Sequence, residues 1–213
     1  MDLEFPEELI LKKNNEIINE VLSKKVLIQA EQFSLVEEYK ENCSCISCTL
    51  NFKFNKAQKI NIQGTGKGVI DALFAAILKE FAGSFISLQN VKLYDFLVKV
   101  RFNESSQRLQ TDAPVEIKIV LESSTRKKMY FKCSSNSLVK AGICAICYAI
   151  TYLINAELAV IQLHKDALLA RKRQRLDLET KYTNQLVELV KFIPYMKVIE
   201  NLSKEKKDVK YLQ

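Results

Sequence analysis

Histidine is almost missing from this chain: His164 is the only one. A single imidazole cannot make a paired-histidine metal site. It also leaves the serines without a credible Ser–His couple for nucleophilic chemistry. Placed in an apparently helical tail, His164 reads as a surface residue. Long apolar runs are missing too. No run of about 18 apolar residues occurs, so no transmembrane helix is predicted. The opening residues, Met1-Asp2-Leu3-Glu4-Phe5-Pro6, are acidic and lack the apolar stretch of a signal peptide, so the expected location is the cytoplasm. The six cysteines are then expected as reduced thiols. Adjacent carboxylates such as Glu37-Glu38 suit solvent rather than acid–base work.

What is present is enough for a real core. Apolar residues make up 48% of the 213 positions, a size that fits one domain with appendages or two small ones. The net charge of +7 is uneven: from His164 onward there are twelve Lys and Arg against seven Asp and Glu. The excess therefore belongs mostly to the tail. Without a binding motif or basic–aromatic interleaving, nucleic acid is not an expected partner. The run "ARKRQR" (170–175) reads as an exposed helix face, with an acidic protein or nucleic acid as the alternatives.

Residues 7–31 carry Leu9, Ile10, Ile17, Ile18, Val21 and Leu22 at helical spacing. The period then changes. The segment 33–41 is a candidate strand, and "ISCTLNFKF" (46–54) alternates, with Ile46, Cys48, Leu50, Phe52 and Phe54 on one face. "NKAQ" supplies a turn and 57–63 a partner strand. A glycine-rich turn leads into a helix at about 68–82. The order then recurs: strands at 91–102, 113–121 and 128–133, then a helix at about 137–155. The helix starts fall 68 residues apart, at 68 and 136. Such an internal repeat of three strands and a helix predicts an α+β layer architecture. The expected divisions are an N-terminal helical segment (1–32), a duplicated βββα domain (33–155, units about 33–82 and 91–155) and a helical C-terminal extension (156–213). In the extension Pro194 is expected to end or kink a helix, and "SKEKKDVKYLQ" to fray.

Three of the five glycines, Gly64, Gly66 and Gly68, sit in the first strand-to-helix turn beside Lys67. A Walker A loop needs Ser or Thr after its lysine to ligate magnesium, and Gly68 stands there. A dinucleotide fingerprint needs a third glycine where Val69 stands. What remains is either a tight turn without a ligand or a helix N-terminus suited to a small anion such as an amino-acid carboxylate. Of the cysteines, Cys43, Cys45 and Cys48 do not have a standard four-ligand metal spacing. In a strand, Cys45 and Cys48 would face opposite ways. Cys144 and Cys147 lie within an apolar helix. All read as core thiols, with zinc as the alternative.

The motifs resemble a known family. "GKGVIDALFAAI" (66–77) is similar to the Gly-x-Gly-Pro-Val-Asp-Ala signature of the C-terminal regulatory, or dimerisation, domain of 2-isopropylmalate synthases; citramalate synthases carry a related domain. "LYDFLVKV" (93–100), "TDAPVEIKI" (111–119) and "SSNSLVKAGICA" (134–145) resemble its later segments, so the likeness spans about 7–155. It departs at Val69, Cys133 and Ser137, where the family has Pro, Gly and Asp. Ser137, like Ser135 or Asn136, can still cap a helix.

The resemblance implies a duplicated βββα unit that forms a homodimer and binds an end-product amino acid, leucine or isoleucine, near the helix starts. It would place the ligand among Gly66, Gly68, Val69, Asp71 and Ala72 at the first helix and Ser135, Asn136, Leu138 and Ala141 at the second. Asp112 and Ala113 would come from the shared strand motif. The synthases also carry a catalytic barrel of about 250 residues, for which this chain has no room. The expectation is therefore a non-catalytic regulatory module of branched-chain amino-acid biosynthesis, without cofactor or metal. Alternatives are a dimeric interaction scaffold whose ligand site has decayed, or a subunit or fragment meeting a synthase barrel on another chain.

Overall fold

In a computed structural model the described residues are 6–38, 43–100 and 114–204. Their order is α1 (Pro6–Val21), β1 (Leu27–Glu38), β2 (Cys43–Lys53), β3 (Ala57–Gly66), α2 (Val69–Phe81), a 3-10 turn (Ile86–Leu88), β4 (Lys92–Val100), β5 (Val115–Glu122), β6 (Lys128–Ser135), α3 (Leu138–Lys172), α4 (Leu176–Leu189) and α5 (Tyr195–Lys204). The strands form two antiparallel sheets, β1-β2-β3 and β4-β5-β6. The fold is thus α+β, with three strands and a helix, twice. Val69 and Leu138 open the two helices 69 residues apart, one more than the pattern suggested.

Strand β2 shows why the sheet pattern was readable. Ser44, Ile46, Cys48, Leu50 and Phe52 are buried in strict alternation, while Cys43 and Cys45 stand on the other face. In α2, Ile70, Leu73, Phe74, Ile77 and Phe81 recur at helical spacing and are buried. Phe81 stacks on Phe52 with ring centroids 5.7 Å apart, which adds about 1 kcal/mol beyond simple burial. Helix α2 covers the first sheet; α3 covers the second and also touches β1. A single apolar cluster runs through both units.

Two expected boundaries move. The first helix ends at Val21 rather than near 31, and 27–31 open β1. Val26, Ile28 and Ala30 point inward between exposed Leu27, Gln29 and Glu31, a period of two. The second repeat helix continues to Lys172 instead of stopping near 155. Its mid-helix polar residues are buried but fully engaged. Asn155 accepts from the Val26 amide at 2.8 Å and donates to the Val26 carbonyl at 2.9 Å. The Glu157 carboxylate accepts from the amides of Ile86 (3.1 Å) and Ser87 (2.6 Å). A buried charge is costly unless hydrogen-bonded in this way. Asn14 of α1 donates to the Tyr152 hydroxyl at 3.0 Å, and burial pushes that phenol up to about 12.

Helix α3 also alters the membrane expectation, because it has the length and composition to cross a bilayer. However, 78% of its most apolar stretch is buried inside the protein, as befits a core helix, and the fold is compatible with a soluble globular protein. Pro194 lies between α4 and α5, in place for the break expected there.

Candidate functional site

At the first helix start the glycines are not a turn. Gly64 and Gly66 are the end of β3. A side chain at Gly64 would collide with the carbonyl oxygen of Ala72, and a Cβ at Gly66 would stand 2.5 Å from the Ala72 nitrogen and 2.7 Å from Asp71 Oδ2. No described glycine has positive φ, and Gly68, the N-cap, is extended at φ −161°. Gly64 and Gly66 serve close contact between strand and helix. Asp71 Oδ2 accepts from the Lys67 amide at 3.1 Å, so a carboxylate already stands beside the helix start, where its charge disfavours a second anion. Asp71 is exposed, Gly66, Gly68 and Val69 are half-buried, and Ala72 is buried.

The second start caps itself differently. Ser137 is the N-cap and accepts from the Lys140 amide at 3.4 Å, as expected of it. Ser135 Oγ accepts from the Ser137 amide at 3.4 Å. Asn136 and Leu138 are exposed and Ala141 is buried. Cys133 and Cys144 form a disulfide between β6 and α3. This corrects the reading of all six cysteines as thiols, and Cys144 is exposed rather than core. Asp112 and Ala113 lie outside the described residues. The helix starts meet where Gly142 faces Ile70.

A groove lies elsewhere, between β1 of the first unit and α3 of the second. Its volume is about 670 Å³, and none of the eleven expected site residues lines it. Its buried lining includes Ile28, Ile143 and Cys147; its exposed lining includes Glu31, Lys140 and Tyr148. Thr151 Oγ1, also in the lining, accepts from the Ile28 amide at 3.2 Å. Glu31 pairs with Lys59 at 2.7 Å. Burial, with a smaller contribution from nearby Cys48, pushes the Cys147 thiol up to about 12. The α3 lining recurs at 140, 143, 144, 147, 148 and 151, one helical face. That stripe is available in the sequence, but residues 27–31 of its partner strand carry a helical pattern there, and only 33–41 reads as a strand.

Elsewhere, Cys48 is buried and desolvation pushes it up to about 11. It faces away from Cys45, as its parity required. Among the described residues, no three His, Cys, Asp or Glu side chains group as a metal site. His164 is not a surface residue: it is half-buried, and its Nδ1 lies 2.7 Å from the Tyr195 hydroxyl of α5. Arg171, Lys172, Arg173 and Arg175 are exposed at the junction of α3 and α4, with Arg175 paired to Asp177 at 2.8 Å.

No protein-family model matches the chain, and no curated protein matches it.

Proposed function

We propose that the chain is a non-catalytic regulatory and dimerisation module, similar to the regulatory domain of 2-isopropylmalate synthases and tied to branched-chain amino-acid biosynthesis. Its ligand is a small branched-chain amino acid. The observation that carries this reading is the groove between β1 and α3. Apolar Ile28, Ile143 and Cys147 suit an aliphatic side chain, exposed Lys140 a carboxylate, and exposed Glu31 an ammonium group. The ligand belongs here rather than at the first helix start, because Asp71 places a carboxylate there. The test is a thermal melt with leucine, isoleucine and valine. Ligand at 100 times its dissociation constant adds about 2.7 kcal/mol, roughly 5–10 °C at this size. Lys140→Glu removes the shift and Asp71→Asn keeps it. No shift with any of the three at high millimolar concentration overturns the ligand-binding reading.

A second reading, the dimeric scaffold with a decayed site, is favoured by β4. This strand is at the edge of its sheet and exposes Tyr94, Leu97, Val98 and Val100. Exposed apolar edges invite pairing with another chain. Under this reading the protein sediments as a dimer and captures a synthase barrel chain without responding to amino acids. A monomer that captures none counts against it.

A further inference from the structure

We propose that a second copy of this chain pairs antiparallel along β4, centred on Leu97, and joins the two β4-β5-β6 sheets into one. The proposal rests on the dimeric reading above and assigns its interface. Among the described residues β4 is an edge strand, paired with β5 alone. Residues directly opposite each other in a sheet share a face. Phe96 and Val98 therefore lie beside buried Ile119 and Ile117, on the face that α3 packs against. That cover stops short of β4, where Val98 and Val100 remain 45% and 42% exposed. On the other face Asp95, Leu97 and Lys99 stand in one row, with Leu97 51% exposed. The bulge between Leu93 and Asp95 ends the regular strand, so the paired stretch is 95–99.

Symmetry and charge select the register. A two-fold axis that sets adjacent strands antiparallel keeps inner face beside inner face, so one residue must face its own copy. With Asp95 or Lys99 on the axis, like charges meet, which is unfavourable. With Phe96 on the axis Asp95 faces Leu97, and with Val98 there Lys99 does. With Leu97 on the axis, Asp95 faces the partner's Lys99, and Lys99 faces the partner's Asp95. Asp95 Oδ1 accepts from the Phe96 amide at 2.8 Å, and Oδ2 takes the partner's ammonium. Phe96 then faces the partner's Val98. An apolar row runs on through Ile117, Val98, the partner's Phe96 and the partner's Ile119. Charges on an edge strand commonly prevent pairing; here the same two charges select the strand's own copy.

The experiment is sedimentation equilibrium of the intact protein, which gives the dimer dissociation constant. Asp95→Lys and Lys99→Asp each set like charges opposite each other and weaken the dimer at least about tenfold. Asp95→Lys/Lys99→Asp reverses both charges and restores affinity to within about threefold. Circular dichroism checks that each variant folds. If a single charge variant does not, Leu97→Cys serves in its place: on the axis it forms a reducible intermolecular disulfide under mild oxidation, beyond any formed by the natural sequence. Lys92→Cys, before the bulge, forms none beyond that background. A dimer that tolerates both single charge variants meets elsewhere, which overturns the β4 pairing and leaves the dimeric reading standing. Weakening without rescue in the double variant overturns the register. A protein that stays monomeric up to about 1 mM overturns both the pairing and the dimeric reading. No β4 residue lines the amino-acid groove, so ligand binding there is tested apart from all of these outcomes.

Discussion

In the first βββα unit, β3 meets α2 through Gly64 and Gly66; 69 residues later, β6 meets α3 through Cys133 and Ser135. The first junction closes because a missing side chain lets the strand rest on the backbone of Ala72. The second has room for a side chain and is closed by a covalent bond, Cys133 to Cys144, where Cys144 is the counterpart of Ala75. Charge inverts at the same offset. Asp71 places a carboxylate beside the first helix start, and its counterpart Lys140 lines the groove. The two copies share topology but not chemistry. One carries a carboxylate beside its helix start, and the other presents a cation.

The sharpest way to break this contrast is to add a side chain where the first copy excludes one. Gly64→Val must displace the Ala72 backbone, which cannot yield as a flexible side chain would. Overpacking of this kind costs about 3 kcal/mol. At about 2–4 °C per kcal/mol, the melting temperature falls by roughly 6–12 °C. Measured against Cys144→Ser, which already lacks the disulfide, Cys133→Val adds no such backbone collision; a further loss as large as that of Gly64→Val would show that the junctions are sealed alike.

Next in size is the covalent seal. The bond closes a loop with a sequence separation of 11. Chain-entropy arguments put its contribution at about 2–3 kcal/mol. Reductant therefore lowers the melting temperature of the natural sequence but not of Cys144→Ser. Intact-mass analysis after alkylation gains two labels on reduction. A melt insensitive to reductant would place no stabilisation in this bond.

Much of this architecture was legible beforehand, and the gaps have local causes. Strand β2 was readable because one face is buried and the other open, giving clean alternation. The repeat was readable because the period switches from two to 3.6 at the same place in each copy. The start of β1 was hidden because Val26-Leu27-Ile28 is apolar throughout, and no glycine or proline marks the end of α1. Helix α3 looked shorter because Asn155 and Glu157 resemble a polar boundary, whereas each is engaged with backbone groups of distant segments. Spacing alone could not pair Cys133 with Cys144. The groove was invisible because its walls, at 27–33 and 140–151, lie far apart in the sequence. The expected helix-start residues are where the motifs put them, but of the glycines among them Gly66 packs against the helix and Gly68 is its N-cap.

A smaller effect probes the caps. Ser137 accepts from the Lys140 amide, so Ser137→Ala leaves that donor without its side-chain acceptor. Losing such a cap costs about 1 kcal/mol, or about 2–4 °C. Asp71→Ala in the first copy removes a bond to the Lys67 amide, which is exposed to water. Its cost is below that of Ser137→Ala, since water replaces an exposed acceptor with little loss. A larger loss from Asp71→Ala would mean that its carboxylate organises the helix start rather than merely filling it.

The smallest effect has the opposite sign. Gly68 is the N-cap of α2 and has no side chain to accept a bond, unlike its counterpart Ser137. Its backbone is extended, a conformation open to any residue, and a Cβ there would meet nothing within 4 Å. Serine can therefore enter without strain and accept from an amide in the first turn. Replacing a glycine cap by serine gains a few tenths of a kcal/mol, and restricting the unfolded chain adds a comparable amount. Gly68→Ser is expected to raise the melting temperature by about 1–3 °C. In Gly68→Ser/Asp71→Ala the gain should persist, because the new hydroxyl accepts from an amide inside the helix, whereas Asp71 accepts from Lys67 outside it. If the gain appears only with Asp71 present, the carboxylate organises the turn that the new cap depends on, and the two contacts at the first helix start act as a unit.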